Sequence, residues 1–178
     1  MRWIPTTVTY LEMLAPPGGA EAEPPEAGLS VRRWPRPRVE EYLPLYDGVG
    51  RDLCWTERKL MAPERLQWIL DDPALEVWVL SAEAGDGSNP LGYFELDRHD
   101  PHDVQLAYFG LFAAARGRRL GPFLLDRAIR TAWEAEPIPR RVWVHTCTLD
   151  DPRALPLYQR AGFVPYDTSV EKVTLLDE

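Results

Sequence analysis

A stretch rich in glycine and arginine in the second half of the chain has the residue types of an anion-binding loop. It reads LFAAARGRRLGPFLLDRAI over Leu111–Ile129 and passes from an apolar, strand-like segment to an amphipathic, helix-like segment. The first N–H groups of a helix lack partners inside the helix, and the helix dipole favours negative charge there. Three arginines and two glycines fall between the two segments: Arg116, Gly117, Arg118, Arg119 and Gly121. This arrangement indicates a phosphate or pyrophosphate site.

Two familiar phosphate-binding loops are excluded by the same residues. The chain has no GxxxxGK[ST] pattern, and therefore no P-loop lysine, and it has no GxGxxG pattern of the dinucleotide-binding type. A strand-to-helix turn with solvent-exposed arginines accounts for the stretch as well as an anion site does. Local chemistry alone leaves both interpretations open.

Composition limits the class of protein. The 178 residues carry a formal net charge of −8, and the sequence pI is about 5.0. Neutralisation of phosphates supplies most of the affinity for nucleic acid, so we expect no nucleic-acid partner. The acidic surface weakly favours a cationic acceptor instead. The hydrophobic content of 45% and the seven tryptophans predict a soluble, well-filled globular core.

Neither a membrane span nor a metal site is expected. The longest apolar runs are far shorter than the roughly 20 residues that cross a bilayer, and the first residues do not resemble a signal peptide. We therefore predict no membrane partner and a cytoplasmic location. Cys54 and Cys147 have no CxxC neighbour or histidine at a metal-ligand spacing, so we predict no disulfide framework and no metal.

The elements that must position the loop alternate along the chain. Residues 15–28 are rich in Pro, Gly and Glu and predict an exposed loop or flexible connection. Strands are predicted over 6–13, 29–34, 75–83, 90–98, 104–112, 140–147 and 163–177, with a GDGSN turn inside the 75–98 hairpin. Helices are predicted within 39–50, over 62–72, from Gly121 with Pro122 near its start, and over 151–162 with Asp151 as N-cap and Gly162 at its end.

This order predicts an α+β fold with a mixed sheet. We divide the chain into an N-terminal strand with its connection, residues 1–28, and a principal domain, residues 29–178. The chain is long enough for one substantial core and too short for a second independent domain.

Two motifs in this order resemble the GNAT (Gcn5-related) N-acetyltransferases. Members of that family carry a loop of the form RGxGxGxxLL after their fourth strand, and the loop here reads RGRRLGPFLL. They also often end with AxxLYxxxGF, which reads ALPLYQRAGF here. Two motifs in the expected order and at the expected separation are more specific than either one alone, and the resemblance covers the chain from about Leu29 onward.

The resemblance implies the GNAT fold and an acetyl-coenzyme A site. The sheet would be mostly antiparallel, twisted and flanked by helices, and would splay between the family's fourth and fifth strands, here 104–112 and 140–147. The pantetheine arm would pair with the backbone of Leu111 and Ala113, around Phe112. The pyrophosphate would lie on the loop formed by Arg116, Gly117, Arg118, Arg119, Leu120, Gly121 and Pro122.

The resemblance also implies catalytic roles for direct attack of an amine on the thioester. Tyr158 matches the family's general acid, although a core tyrosine packed beside Phe163 explains it as well. Glu95, on a strand that reaches the cleft, is our first choice for the general base. The alternative is an outward-facing carboxylate. Cys147 is interpreted as a small buried residue, because the family forms no acyl-enzyme.

The acceptor pocket would be built by the early half of the chain and by the strands beside the cleft. Trp55 and Glu57 are candidate contacts, with a core tryptophan and a solvated helix face as the plainer interpretations. Tyr108 would line the pocket. His145 and Thr146 end the family's fifth strand, where the histidine would relay a proton or be merely structural.

Two departures from the family pattern concern the loop. Arg119 replaces its middle glycine, and Pro122 removes a backbone donor near the helix start. We expect the backbone of Arg119 to be helical rather than left-handed, with its side chain pointing outward or onto a phosphate.

The resulting hypothesis is an N-acetyltransferase that uses acetyl-CoA and a primary amine, with a homodimer as a possible assembly. A GNAT-fold module that binds acyl-CoA without turnover is the alternative. A phosphate-ligand enzyme of unrelated fold is disfavoured because the P-loop lysine is missing.

Overall fold

A computed structural model describes residues 2–83 and 89–175. Seven strands form one sheet: β1 (Arg2–Met13), β2 (Leu29–Arg33), β3 (Leu75–Ala82), β4 (Asn89–Asp97), β5 (Asp103–Leu111), β6 (Arg141–Cys147) and β7 (Val164–Leu175). Five α-helices accompany it: α1 (Val39–Gly50), α2 (Glu57–Leu60), α3 (Pro63–Leu70), α4 (Leu120–Trp133) and α5 (Ala154–Arg160). The predicted GDGSN turn lies, except for Asn89, outside the described residues.

The sheet is mixed, as predicted. Its strand order is β2-β3-β4-β5-β6-β1-β7, in which β5 and β6 are parallel and the other neighbours are antiparallel. One hydrophobic core packs α4 and α5 against the sheet, and a second core packs α1 and α3 against it. The amphipathic pattern of α4 buries one stripe in the first core, including Leu124 and Ala128.

The pairing of β5 with β6 is short, and this opens the centre of the sheet. Partners run only from Asp103 opposite Arg141 to Leu106 opposite Val144. Beyond that point the last residues of β5 and of β6 diverge. The sheet is therefore split at the carboxyl ends of its two parallel strands, where ligands commonly bind in sheets with parallel strands.

The N-terminal strand is an inner strand of the sheet. β1 pairs with β6 on one side and with β7 on the other. Val8 and Leu11 of β1 are buried, at 3% and 0% exposure. Residues 1–28, set apart in the sequence analysis, thus contribute a strand to the same sheet as the rest of the chain.

The connection after β1 has no regular structure but packs against α4. Asp126 accepts a hydrogen bond from the Ala22 amide at 2.9 Å, and Arg130 donates to the Ala20 carbonyl at 2.8 Å. Ion pairs join Arg127 to Glu21 and Arg118 to Glu26. The acidic residues of this connection therefore meet the arginines of the loop and helix that follow β5.

Two helix starts differ from the sequence prediction. α5 begins at Ala154, because Asp151 instead accepts hydrogen bonds from the backbone and the guanidinium of Arg153 and so holds the turn before the helix. α4 begins at Leu120, so that Pro122 is its third residue. Proline is tolerated there because the first-turn N–H groups have no partner within the helix. Gly162 ends α5 with a φ of 105°, as a C-terminal glycine does.

None of the helices in the described ranges has the length and apolarity needed to span a membrane.

Candidate active site

A cleft of about 1330 Å³ opens where β5 and β6 diverge. The loop before α4 lines one end, and the segment from Leu53 to Met61 lines the other. Tyr158 and Asp150 also line the cleft. One cavity therefore joins the predicted phosphate loop, the predicted general acid and most of the predicted acceptor contacts.

The phosphate end is built by a change of backbone direction before α4. Gly117 has a φ of 80°, and Arg119, at the N-cap, has φ 60° and ψ 21°. The expectation of a helical backbone at Arg119 is wrong, because the turn needs a left-handed residue where the family has glycine. A left-handed residue followed by a helical one turns successive N–H groups toward the same side, which is an anion-binding arrangement.

The helix end supplies donors for such an anion. In the part of the chain that the structure describes, the N-terminus of α4 has no side-chain cap. The N–H groups of Leu120 and Gly121 therefore lack the partners that a cap would give, whereas Pro122 contributes none. Both residues line the cleft.

The three loop arginines have different surroundings. Arg116 and Arg119 line the cleft, and Arg119 is exposed. Arg118 instead forms an ion pair with Glu26 of the N-terminal connection. Two of the three cations thus face the position expected for a phosphate.

The edge of β5 nearest the loop is open to the cleft. The Phe112 amide donates to the Leu91 carbonyl of the β4 side at 2.9 Å. Backbone groups alternate along a strand, so the amide of Leu111 points the other way, toward the gap. Ala113 has left the strand and begins a 3₁₀ helix, Ala113–Ala115, which places it at the end of this edge.

Tyr158 combines core packing with cleft lining. Its ring packs against Phe109 and Phe163 with centroid distances of 6.0 Å each, and the residue is 5% exposed. Burial, and after it the charge of Asp150, raise the pKa of the phenol. Tyr158 therefore keeps its proton at neutral pH and can donate it, or a hydrogen bond, within the cleft.

Aromatic rings line the acceptor end. The Trp55 ring centroid lies 5.1 Å from that of Tyr108 and 5.5 Å from that of Tyr46. The Tyr108 hydroxyl donates to Glu57 Oε2 at 2.8 Å, and burial raises the pKa of this tyrosine. Trp55, Glu57 and Tyr108 all line the cleft, so the structure brings these predicted contacts together.

Glu95 does not reach the cleft, and this corrects its prediction as the general base. Its side chain is fully buried, where Tyr42 donates to Oε1 and Arg58 Nη2 donates to Oε2 at 3.0 Å. Burial raises the pKa of Glu95, and the neighbouring Arg58 opposes that shift. A carboxylate with both oxygens occupied inside the core cannot take a proton from a substrate in the cleft.

The two residues predicted at the end of β6 differ in exposure. His145 is exposed, lines the cleft and stacks near Tyr10 at a centroid distance of 5.9 Å. Thr146 is 5% exposed and donates from Oγ1 to Asp150 Oδ2 at 2.8 Å, so it holds a neighbour rather than a substrate. Burial raises the pKa of the Cys147 thiol, which disfavours a nucleophilic thiolate.

Sequence reasoning missed two charged residues of the site. Arg58 lines the cleft over the ring of Tyr108, with its guanidinium carbon 5.2 Å from the ring centroid. Asp150 lines the cleft and precedes Asp151, the carboxylate that the sequence assigned to a helix cap. Asp150 and Asp151 are adjacent in sequence, and only the folded turn shows that Asp150 binds Thr146 whereas Asp151 binds Arg153.

Comparisons with known proteins identify the family of the chain. The family model of the acetyltransferase (GNAT) family matches residues 39–163. Mycothiol acetyltransferase of Corynebacterium glutamicum is 26% identical over 119 residues, which make up 67% of this chain and 33% of that protein. The chain thus spans about a third of the length of this curated relative.

Solved structures show the same fold. A GCN5-related N-acetyltransferase from Sphaerobacter thermophilus matches with a TM-score of 0.62 and 16% identity over 96% of this chain and 52% of that one. An aminoglycoside acetyltransferase from an uncultured soil metagenomic sample, solved in complex with sisomicin, matches with a TM-score of 0.58 and 14% identity over 76% and 88% of the two chains. With the family match over most of its length, the chain belongs to the GNAT acetyltransferase family.

Proposed function

We propose that this protein transfers the acetyl group of acetyl-CoA to a primary amine by direct attack. The observation that carries the proposal is a cleft lined by a cationic, donor-rich loop, by an aromatic pocket and by Tyr158. The loop provides for a phosphorylated donor, and the pocket provides for a separate acceptor.

The residues of the loop suit the acetyl-CoA pyrophosphate. Uncapped N–H groups at the start of α4 and the side chains of Arg116 and Arg119 offer donors and positive charge to one end of the cleft. The free edge of β5 at Leu111 offers a backbone amide to the pantetheine arm. When bound, acetyl-CoA supplies an activated thioester.

Tyr158 is the proposed general acid. As the amine nitrogen forms its bond to the carbonyl carbon, the carbon–sulfur bond breaks and a thiolate leaves. The phenol of Tyr158, kept protonated by burial, donates to that sulfur. The ring packing of Tyr158 between Phe109 and Phe163 fixes its position for this step.

The acceptor end suits an amine with an apolar or ring-bearing body. Trp55 and Tyr108 provide ring surface, and Glu57 provides negative charge at the rim. The description of one solved neighbour, an aminoglycoside acetyltransferase in complex with sisomicin, points to aminoglycosides as a class of compound to test. The cytoplasmic location and the homodimer stay predictions from the sequence.

Binding of acetyl-CoA is the first test. At a concentration one hundred times its Kd, a ligand of the native state adds about 2.7 kcal/mol of stability. In a domain of this size we expect Tm to rise by roughly 5–10 °C. An unchanged Tm contradicts the proposal.

Release of the coenzyme A thiol then separates an enzyme from a binding module. The probes are phenethylamine, spermidine, glucosamine and sisomicin, and wild-type protein should acetylate at least one of them. Tyr158→Phe should retain the Tm rise with acetyl-CoA and lower kcat by about 10²–10⁴-fold. Tyr166→Phe, which alters an exposed phenol on β7, is the matched control. Binding without turnover by wild-type protein favours the module.

A further inference from the structure

Asp150 is a carboxylate of the same cleft as Tyr158. It follows β6 in the turn that leads to α5, and it lines the cleft. Burial and, after it, the charge of Asp150 raise the pKa of the Tyr158 phenol. An acid candidate and a carboxylate therefore line one cleft.

The two oxygens of Asp150 have different surroundings. Oδ2 accepts hydrogen bonds from Thr146 Oγ1 and from the Cys147 amide, both at 2.8 Å. Oδ1 is approached by Trp55 Nε1 at 3.5 Å, which is longer than an ordinary hydrogen bond. A carboxylate offers about four lone-pair sites, so Oδ1 keeps accepting capacity on the side of Trp55. One oxygen thus anchors the group while the other stays available.

The other carboxylates that line the cleft are exposed to solvent, as Glu57 and Glu171 are, or are paired with a basic side chain, as Asp97 is with His99. Glu57 accepts from the Tyr108 hydroxyl at 2.8 Å, and Glu171 accepts from the Tyr10 hydroxyl at 2.7 Å. Asp151 pairs with the Arg153 guanidinium at 2.6 Å, which lowers the pKa of Asp151 to about 2. Glu95 is buried with Arg58. Asp150 best combines a fixed position with an oxygen free to act.

We propose that Asp150 is the proton acceptor of the transfer, with Oδ1 receiving the proton that the attacking amine loses. The inference rests on the proposed function. The amine nitrogen bonds to the carbonyl carbon, the carbon–sulfur bond breaks, Asp150 takes the N–H proton and Tyr158 gives its proton to the thiolate. Exchange with water then returns both side chains to their starting states.

The contact of Asp150 with Trp55 brings this carboxylate next to the aromatic acceptor pocket. Trp55, whose ring packs against that of Tyr108, reaches toward Oδ1, and Tyr158 lines the same cleft. An ammonium over the aromatic residues would be drawn to this carboxylate and would release its first proton to water, so that the neutral amine attacks and gives its second proton to Asp150.

The test is Asp150→Asn, because the amide oxygen can still accept both hydrogen bonds that hold the turn. We expect kcat for the best of the four amine probes to fall by about 10²–10⁴-fold. The acidic limb of the kcat–pH profile should disappear. Cys147 and Tyr158, which also line the cleft, have raised pKa values and do not produce that limb. His145 lines the cleft as well, so His145→Gln is made alongside and should retain the limb.

Two further variants separate catalysis from structure. Asp167→Asn removes an exposed carboxylate of β7 that is not among the residues lining the cleft, and it should keep the wild-type kcat and the acidic limb. Thr146→Val removes one anchor of Asp150 and should lower kcat less while retaining the limb.

Three outcomes are decisive. An Asp150→Asn protein that keeps both kcat and the acidic limb shows that the residue only holds the turn, and overturns the inference while the proposed function stands. Loss of the Tm rise with acetyl-CoA in this variant also overturns it, because the defect then lies in binding. Wild-type protein that acetylates none of the four amines contradicts the proposed function, and the role of Asp150 falls with it.

Discussion

Arg119 shows how one residue can be unfavourable for the backbone and useful for a ligand. Its φ of 60° lies in the left-handed region, which costs a residue with a side chain about 1–2 kcal/mol. The side chain is exposed and lines the phosphate end of the cleft. A glycine would relieve the backbone and remove the cation, so the two effects can be measured separately.

We predict that Arg119→Gly raises the free energy of unfolding by about 0.5–1 kcal/mol, because part of the relieved strain is offset by the freedom of glycine in the unfolded chain. The Kd of acetyl-CoA should rise about tenfold with the loss of a charge-assisted contact to phosphate. Urea unfolding and calorimetric titration provide the two measurements.

Arg118→Gly is the control for this prediction. It removes an adjacent arginine that pairs with Glu26, at a position without positive φ. This variant should not gain stability. If Arg119→Gly instead tightens acetyl-CoA binding, the arginine is only a tolerated departure from glycine.

Sequence motifs predicted some of the residues that line the cleft. Gly117, Arg119 and Tyr158 were proposed because a loop motif and a helix motif keep them at fixed spacing, and all three line the cleft. Their roles stay predictions. Glu95 was misplaced because strand periodicity cannot show that Arg58, distant in sequence, pairs with it in the core. Asp150 was missed because only the folded turn shows that Thr146 and Cys147 hold its Oδ2 while its Oδ1 faces Trp55.

At the scale of elements, a histidine links the end of β4 to the turn after α3. His99 Nδ1 lies 2.6 Å from Asp97 Oδ1, and Nε2 lies 3.0 Å from Asp72 Oδ2. The hydrogen bond to Asp97, then the one to Asp72, raise the pKa of His99. Both ring nitrogens can donate only when the ring is protonated, so this link depends on pH.

We predict that the stabilisation from His99 is fully present below its unfolded pKa of about 6.5. This stabilisation should be lost as pH rises through the higher pKa of His99 in the folded state, because the ring then loses its proton in the folded protein as well. The difference in urea midpoint between wild-type protein and His99→Gln should shrink over that interval. His102→Gln is the control, since His102 holds its turn through backbone hydrogen bonds. A difference independent of pH would contradict the prediction.

Most strands and helices were predictable from local patterns, whereas their arrangement was not. Apolar alternation and helical periodicity placed β5, β6 and α4 within a few residues of their observed bounds. The central position of β1 depends on pairing with strands more than a hundred residues away. No local pattern encodes such a register, although the family resemblance correctly implied the fold, with its mixed and mostly antiparallel sheet.

At the scale of the whole molecule, β1 closes the sheet beside the cleft. It joins β6, which carries the residues that hold Asp150, to the long edge strand β7. Thr6 Oγ1 and Thr148 Oγ1 form a hydrogen bond at 2.8 Å just past the end of β6. The N-terminal strand therefore supports the active-site turn directly, although it precedes the region that matches the family model.

We predict that deletion of residues 1–28 prevents folding, because it removes an inner strand, exposes β6 and β7 along their lengths, and uncovers the core around Leu11. Circular dichroism and a urea titration should show no cooperative transition. The matched variant keeps β1 and replaces Glu21 and Glu26 with glutamine, which removes only exposed ion pairs with Arg127 and Arg118. Such pairs contribute at most about 1 kcal/mol each, so Tm should fall by only a few degrees. A deletion protein that unfolds cooperatively would show that residues 29–178 form an independent domain, as the sequence division supposed.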